Sequence, residues 1–318
     1  MMADDPTEPR SQGLPLWPEG WYVVARSMDI QKQRIHSVQL ANQECVIWRK
    51  TDGQLAAINA HCPHMGAHLR WGRVAGDAIR CALHDLTIDT QGCIELSSAQ
   101  CSQAQTWSVR EMCGLVLVHL GQTIKPVPEL VSARPFVWQA AKPIHLNNDW
   151  RAMVVNGFDM SHLKAVHGRA LYEPAHIEMQ PNQHIRLSYR SKVLTRGWHD
   201  RLIQYLSRDV IRVHQICHGT IISLETDLGA TQTAALLGLL PTMTKTGVGV
   251  MAYGAFGVTP GRFQKLRLAI AARMFTAFLR HDFQVLQGMR LNVDVAEHEV
   301  EMMGQFLRSL RAFGAPHD

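Results

Sequence analysis

The sequence predicts an α+β fold, in which a β-rich part comes first and a part that combines strands with long helices follows. Within residues 17–120, short apolar and β-branched runs alternate with turn residues, and no strong helical pattern appears. Prolines within residues 125–135 mark a connector. Beyond it, alternation over residues 185–256 predicts strands, and apolar spacing over residues 263–289 and 300–313 predicts two amphipathic helices.

A domain boundary is expected near residue 130, where this change of pattern occurs. A chain of 318 residues has room for about two domains. We expect a flexible N terminus at residues 1–16, which carry little that could pack, a first domain at 17–130 and a second at 131–318. The first stretch lacks the basic start and apolar run of a signal peptide.

Three local patterns give specific predictions. The Asp-Gly pair at residues 52–53, between the apolar runs 45–49 and 55–58, predicts a β-hairpin. The continuous apolar run 115–118 predicts a buried strand. In the second domain, apolar spacing over residues 149–167 predicts a helix.

The composition excludes several classes of protein. Apolar residues make up 46% and charged residues 19%, so a folded core is expected. The net charge of +5 is dispersed, which favours a solvated surface over a nucleic-acid footprint. No run reaches the roughly 18 apolar residues of a membrane span, so a cytoplasmic protein is expected. Seven cysteines, an odd number, argue against a disulfide framework. Five of them are expected to be small buried apolar residues: Cys45, Cys93, Cys101, Cys113 and Cys217.

The other two cysteines belong to a metal-ligand pattern. Cys62 and His64 are followed after sixteen residues by Cys81 and His84. Two Cys and two His could hold a tetrahedral zinc ion, or a [2Fe-2S] cluster with two histidines on one iron. Zinc sites of this composition usually group Cys with Cys and His with His, whereas here each loop supplies one of each. The spacing therefore favours the cluster, with zinc as the alternative.

These residues resemble the cluster loops of Rieske proteins. Respiratory-chain members carry an additional Cys in each loop, but the matching positions here are Ala67 and Leu83. The chain therefore resembles the lower-potential centres of oxygenases and their ferredoxins. It departs from the oxygenase pattern at Ala82, where Pro is usual, and at Asp85, where Gly is usual. The Asp85 carboxylate could lower the cluster potential or simply face solvent.

A second pattern, N-x2-D-x2-H-x4-H, comprises Asn156, Asp159, His162 and His167. The first three recur every three residues and are expected along one helix face. His167 lies about 140° around an ideal helix from His162, so both imidazoles can reach one metal only if the helix bulges or breaks. Gly168 just beyond is consistent with a helix end.

This pattern resembles the iron-binding signature of Rieske non-haem iron oxygenases. The resemblance implies that His162 and His167 are two ligands of a mononuclear Fe(II) in a 2-His-1-carboxylate triad. Residues 280–287 resemble the helix that carries the third ligand, with Asp282 in that place, and Asp294 and Glu297 are fallback candidates. It also implies a β-rich Rieske domain followed by a helix-grip, START-like catalytic domain with an antiparallel sheet.

The same resemblance assigns an electron path. Asp159 would bridge the cluster ligand His84 of a neighbouring subunit to the iron ligand His162, which a carboxylate can do by accepting from both imidazoles. Asn156 would be a polar residue near the iron, or else an ordinary helix residue. A bridge between subunits implies a head-to-tail homotrimer.

The resemblance implies O2-dependent hydroxylation, with demethylation or desaturation as related outcomes. No G-x-G-x-x-G motif follows a strand, so a separate ferredoxin or flavin reductase is the expected electron donor. Apolar runs at 234–240, 248–256 and 274–278 favour a bulky hydrophobic substrate. The loop around Cys62 resembles steroid-acting members such as 3-ketosteroid 9-alpha-hydroxylases, which favours a steroid or terpenoid. An aromatic acid, a Rieske electron-transfer protein without oxygen chemistry and a zinc-stabilised binding module remain as alternatives.

Overall fold

The computed structural model describes the chain in segments, which are residues 14–96, 100–180, 184–194, 201, 204–205, 207, 209–229, 231–244, 247–289, 291–292 and 301–314. Two compact units emerge. One is Gly20–Lys125, and the other comprises the chain from Pro126 onward together with the described residues before Gly20.

The first unit is built of short antiparallel strands. They are β1 Gly20–Arg26, β2 His36–Leu40, β3 Gln43–Arg49, β4 Leu55–Asn59, β5 Arg73–Ala75, β6 Ala78–Arg80, β7 Thr87–Ile88, β8 Cys93–Leu96, β9 Gln100–Gln103, β10 Val109–Met112 and β11 Leu115–Leu120. They form the sheets β1-β11-β10, β2-β3-β4, β5-β6-β7 and β8-β9. Within its described residues, the only helical elements are two 3-10 turns, Ser27–Asp29 and Leu69–Trp71, so the β-rich prediction is confirmed.

The predicted hairpin is confirmed as the β3–β4 pair, in which Arg49 lies opposite Leu55. Gly53 in its turn has φ +87°, a conformation that favours glycine. The predicted buried strand is β11, whose six residues are all buried. One core of this unit includes Trp48, Ile58 and Leu69 and packs against Cys62 and Cys81.

The second unit combines a sheet of nine antiparallel strands with helices. The strands are β12 Val137–Ala140, β13 Ile144–Leu146, β14 Arg169–Leu171, β15 His176–Met179, β16 Ile185–Val193, β17 Val210–His218, β18 Ile221–Asp227, β19 Gln232–Thr244 and β20 Gly247–Val258. Their order is β12-β20-β19-β18-β17-β16-β14, with β13 beside β20 and β15 beside β16. The described helices are α1 Trp150–Asn156, α2 Met160–Ala165, α3 Gln264–Val285 and α4 Glu301–Gly314.

The long helix α3 packs against the sheet, as the α+β prediction requires. Its Leu268 joins Ala235 and Phe256 of the sheet in one apolar cluster. A larger core gathers residues of α1, the sheet, α3 and α4, and within it the rings of Phe158 and Phe306 stack with centroids 4.0 Å apart. In the described parts of the chain, no helix has both the length and the hydropathy of a membrane span.

The single helix predicted over residues 149–167 is wrong. The chain forms α1 and α2 with a break between them, because Asp159 has extended backbone angles and caps α2 as its N-cap residue. Asn156 ends α1, so it does not share a continuous helix face with Asp159 and His162.

The prediction of a flexible segment at residues 1–16 is wrong for Leu14 and Leu16, which are 4% and 5% exposed in the core of the second unit. Their carbonyl oxygens accept hydrogen bonds from Arg151 Nη1 at 2.8 Å and Trp150 Nε1 at 2.9 Å. Burial of two leucines and these two bonds holds the segment in place. Residues 1–13 lie outside the described residues.

The expected burial of the remaining cysteines holds for Cys45 and Cys217, whereas Cys93 and Cys113 are only half-buried. The side chain of Cys101 lies outside the described residues. No disulfide joins the described cysteines.

Candidate functional site

The four residues of the first metal-ligand pattern lie on two loops with the same backbone geometry. In each loop the cysteine carbonyl accepts a hydrogen bond from the residue four positions later, which is Gly66 for Cys62 at 2.9 Å and Asp85 for Cys81 at 3.0 Å. Each cysteine N–H also donates to the carbonyl five positions later, at 2.8 and 2.9 Å. Both closing residues have positive φ, +75° for Gly66 and +56° for Asp85.

These loops place sulfur inside and imidazole outside. Cys62 and Cys81 are 3% and 2% exposed, whereas His64 and His84 are exposed. The two imidazole rings lie with centroids 4.9 Å apart at 70°. Burial is the main cause that raises the pKa of Cys62, and the neighbouring Cys81 thiol also raises it. Two buried sulfurs beside two exposed imidazoles fit a [2Fe-2S] cluster with its thiolate-bound iron inward and its histidine-bound iron towards the surface.

The same geometry disfavours a single zinc ion. Among the described residues, three ligand atoms lie within 4.8 Å of one another at His162, His167 and Asp282, whereas the two loops do not bring three together this closely. Zinc ligands at about 2.0–2.3 Å from the metal would converge more closely than this limit. The loops are therefore spaced for a larger group than one ion.

The histidines that flank the cluster loop have structural contacts. His68 accepts a hydrogen bond from the Arg70 N–H at its Nδ1, at 3.1 Å, and its Nε2 lies 3.0 Å from the Glu44 carboxylate. His61 is exposed, with its ring centroid 5.1 Å from that of His68. Both therefore have the contacts of polar loop residues.

Asp85, which departs from the oxygenase pattern, is held by two arginines. Its carboxylate lies 2.6 Å from Arg73 and 2.6 Å from Arg80, and all three side chains are well exposed. The two guanidinium groups offset its negative charge, so this side chain does not face solvent unpaired. Ala82, the other departure, is exposed.

The second pattern converges on Asp282 of α3. The Asp282 Oδ1 atom lies 2.9 Å from His162 Nε2 and 2.5 Å from His167 Nε2. This is possible because α2 ends at Ala165, between the two histidines, and Gly168 turns the chain with φ +60°. The expected break of the helix between the two imidazoles is therefore present.

The surroundings of these three groups favour a metal. Asp282 is 7% exposed, and a carboxylate this buried needs a compensating partner. The Phe278 ring stacks on His167 with centroids 3.6 Å apart at 15°, which fixes the imidazole plane. Two imidazole nitrogens and one carboxylate oxygen are the donor set of a 2-His-1-carboxylate iron site, so these residues fit that group. The fallback candidates Asp294 and Glu297 lie outside the described residues.

Asp159 and Asn156 line one cavity together with His162, His167 and Asp282. Asp159 Oδ1 accepts hydrogen bonds from the N–H groups of Ser161 at 2.8 Å and His162 at 3.1 Å. These bonds fix the start of α2 and therefore the position of His162. Within the described part of the chain, Oδ2 has no hydrogen bond.

The triad lies on the wall of a cavity of about 300 Å³ inside the second unit. The wall formed by α3 is mostly apolar and includes Ala271, Met274, Phe275, Phe278 and Leu279. The predicted apolar runs contribute in part: Ala234, Ala235, Leu237 and Phe256 line the cavity from the sheet.

Sequence reasoning missed several polar residues of the cavity. Arg169, Tyr189, Ser191 and Gln215 line it, and Gln215 Nε2 donates to the Gly157 carbonyl at 2.7 Å, which ties β17 to the break between α1 and α2. Tyr189 and Ser191 alternate with exposed residues along β16, and that alternation is the signal that could have assigned them to the inner face.

Comparison with known proteins identifies a Rieske [2Fe-2S] domain at residues 20–108. Over 167 residues, 49% of this chain and 37% of the relative, the sequence is 27% identical to a cholesterol 7-desaturase of Bombyx mori. It is 28% identical over 165 residues, 46% and 43% of the two chains, to the oxygenase component of a Rhodococcus rhodochrous 3-ketosteroid-9-alpha-monooxygenase. A toluene-4-sulfonate monooxygenase iron–sulfur subunit of Comamonas testosteroni matches at 26% over 207 residues, 61% and 57% of the two chains. The chain thus spans about half the length of these relatives.

Solved structures share the fold over nearly the whole chain. NdmA of Pseudomonas putida CBB5 with caffeine superposes with a TM-score of 0.68 at 16% identity, covering 93% of this chain and 94% of that one. Dicamba monooxygenase bound to dicamba gives 0.63 at 14% identity, covering 94% and 98%. The matched domain is of the kind that carries a [2Fe-2S] cluster, and His162, His167 and Asp282 could hold a separate metal ion. The chain thus contains a Rieske [2Fe-2S] domain and is similar to the oxygenase components of Rieske oxygenase systems.

Proposed function

We propose that this chain catalyses O2-dependent hydroxylation of a hydrophobic small molecule, with demethylation or desaturation as related outcomes. The observation that carries the proposal is the convergence of His162, His167 and Asp282 on the wall of a mostly apolar cavity. The cluster ligands in this proposal are Cys62, His64, Cys81 and His84. When bound, Fe(II) at such a triad has open positions for O2, and the cluster supplies single electrons.

The residues around the metal have separate roles in this proposal. His162 and His167 would hold the metal through Nε2, the atom that each directs towards Asp282. Asp282 supplies the negative charge that compensates part of the cation, and Phe278 keeps the His167 ring in plane. The apolar side chains of α3 exclude bulk water and orient the substrate skeleton.

We further propose that Asp159 passes electrons between subunits. Its Oδ1 is used by the helix cap, and Oδ2 is the atom that would accept from the exposed His84 imidazole of a neighbouring subunit. This arrangement requires a head-to-tail homotrimer, which light scattering on the purified protein can test. Asn156 at the cavity wall would be a polar neighbour of the iron.

The electron donor in this proposal is a separate ferredoxin or flavin reductase. The proposed location is the cytoplasm, in keeping with the lack of a disulfide among the described cysteines. A steroid or terpenoid is one candidate substrate class, since two relatives are a cholesterol desaturase and a 3-ketosteroid monooxygenase. An aromatic acid is the second, since other similar proteins are a toluene-4-sulfonate monooxygenase and dicamba monooxygenase.

The decisive experiment combines metal analysis with turnover. We expect two cluster irons and one further iron per chain, and an oxygenated product, detected by mass spectrometry, when the protein is incubated with a surrogate reductase, O2 and a panel of steroids and aromatic acids. A protein with the cluster irons alone and no product would instead be an electron-transfer protein.

A further inference from the structure

Apart from Gln215, the described polar residues of the sheet that line the cavity lie at one end of its strands. Tyr189 pairs with Val213, Val213 with Thr226, and Thr226 with Thr233, so these four form one row across β16, β17, β18 and β19. All four line the cavity, and three of them carry hydroxyl groups. Cross-strand partners lie on the same face of a sheet, so the row presents its hydroxyls inward together.

The neighbouring positions add a cation to this row. Ser191 is two residues along β16 from Tyr189, so it faces the same side, and it is 1% exposed. On β14, Arg169 pairs with Val193, whose side chain is also inward. Arg169 therefore faces the cavity from the same end of the sheet, and it lines the cavity wall with Tyr189 and Ser191.

The opposite end of the same strands is apolar. The row through Ile185, Cys217, Ile222 and Leu237 belongs to the large core of the second unit. The cavity thus has one polar, cationic end, one apolar end and the apolar wall of α3. Burial raises the pKa of Tyr189, and the charge of Arg169 opposes this shift.

We propose that the cavity binds an amphipathic oxyanion, with an apolar skeleton against α3 and a carboxylate or sulfonate held by Arg169, Tyr189 and Ser191. This inference rests on the proposed function, because it takes the cavity as the substrate site. A guanidinium has five N–H donors, so Arg169 can serve protein groups and a bidentate oxyanion together. Its position two residues after His167, at most ~7 Å between Cα atoms, keeps the anion in the same chamber as the triad.

The test is ligand binding without O2, measured by isothermal titration calorimetry on the metal-loaded protein. The probes are 2-naphthoate, 2-naphthalenesulfonate and methyl 2-naphthoate, which share an apolar skeleton. We expect at least one of the two anions to bind about tenfold or more tightly than the ester, because one good charged pair corresponds to at least 1.4 kcal/mol. Which anion binds more tightly separates a carboxylic from a sulfonic acid substrate. Equal affinity for both anions and the ester would overturn the proposal.

Substitutions at Arg169 then test whether this residue binds the anion. Arg169→Met should abolish the preference for the anions and leave ester affinity within about twofold. Arg190→Met is the matched control, since Arg190 is on the same strand as Tyr189 but exposed on the outer face, and it should retain the preference. If Arg169→Met does not fold, judged by circular dichroism and the cluster absorption, then Arg169→Lys and Tyr189→Phe take its place, with a partial loss expected from each.

Two further outcomes separate this inference from the function. An anion preference that persists in Arg169→Met but disappears in His162→Ala would assign the oxyanion to the metal, and the proposal would be wrong. Arg169-dependent anion binding without any oxygenated product in the turnover assay would leave this inference standing and remove the proposed function.

Discussion

Asp85 occupies the same place in the second cluster loop as Gly66 does in the first. Each is four residues after the cluster cysteine, donates its N–H to that cysteine's carbonyl, and has a left-handed backbone. The loops are thus equivalent in conformation although one closes with an aspartate. Asp tolerates this conformation better than most residues other than glycine.

This equivalence predicts how Asp85 responds to substitution. Asp85→Ala should lower the free energy of unfolding by about 1 kcal/mol, because alanine bears the full cost of the left-handed conformation. Asp85→Gly should be close to wild type, since its well-exposed ion pairs contribute little. Thermal unfolding followed at the cluster absorption measures both, and an alanine variant as stable as the wild type would contradict the assignment of strain.

The charge of Asp85 can be tested separately through the cluster. Asp85→Asn keeps the side-chain shape and removes one negative charge near the reducible group, so the reduction potential should rise. Ala82→Ser, a neutral change in the same loop, is the control and should leave the potential close to its starting value. Spectroscopic redox titration gives the result, and a fall in the Asp85→Asn potential would be the contrary finding.

Removal of the carboxylate at the triad should release one iron and no more. Asp282→Asn leaves a weaker ligand between His162 and His167, so the mononuclear iron should be lost and turnover with it, while the cluster spectrum stays unchanged. His281→Gln, next along α3 and exposed, should retain the full iron content. Iron retained in full by Asp282→Asn would show that this carboxylate is not a ligand.

Asp159 caps α2, and this structural role must be distinguished from its proposed role in electron transfer. Asp159→Asn preserves an N-cap acceptor, so stability should be near wild type, whereas Asp159→Ala should cost about 1 kcal/mol. Both variants should bind both metal groups, reduce the cluster normally and turn over slowly. Stopped-flow reduction followed by single turnover distinguishes these steps, and normal turnover in Asp159→Asn would remove the bridging role.

The buried pair His184 and His218 makes stability depend on pH. Their rings lie 3.9 Å apart, and burial, then the neighbouring His184, lowers the pKa of His218 to about 3. Because the unfolded chain binds this proton near pH 6.5 and the folded chain does not, the stabilisation is complete above 6.5 and declines as the pH falls towards 3. His218→Gln should therefore reduce the pH slope of the unfolding free energy over that interval by up to about 1.4 kcal/mol per pH unit.

The control for this effect is His214→Gln, on the same strand but exposed. It should leave the pH slope close to that of the wild type, since this side chain stays in contact with water in the folded chain. Denaturant unfolding at several pH values between 4.5 and 7 supplies the comparison. Identical slopes for His218→Gln and the wild type would exclude His218 as the source.

The cluster site and most strands could be predicted because their signals are local. Each signal predicts the structure of the residues next to it. Examples are the cysteine and histidine within one short loop and the Asp-Gly pair between apolar runs. The break between α1 and α2 was missed because the same three-residue spacing fits a continuous helix, and only the capping contacts of Asp159 Oδ1 select the break. Arg169 was missed because its inward orientation depends on pairing with Val193, 24 positions away.

The packing of Leu14 and Leu16 illustrates a second limit. The polar and proline residues around them predict disorder. Two buried leucines nevertheless hold the segment in place, because Trp150 and Arg151 donate hydrogen bonds to their carbonyl oxygens. Contacts between residues so far apart in the sequence leave no periodic pattern from which they could be predicted. The domain boundary expected at residue 130 likewise depends on which partners the flanking residues find in the folded chain.

Because the described residues before Gly20 belong with the chain after Pro126, the cluster-bearing unit is an insertion within the other unit. Its two ends are close together: Gly20 pairs with Leu120 on adjacent strands, and Trp21 Nε1 donates to the Lys125 carbonyl at 2.9 Å. An inserted unit whose two ends lie close together can be removed or replaced, because a short turn is enough to join the flanking residues. A short Gly-Ser linker from Glu19 to Pro126 should thus yield a protein that retains the iron triad and its cavity without the electron-relay module.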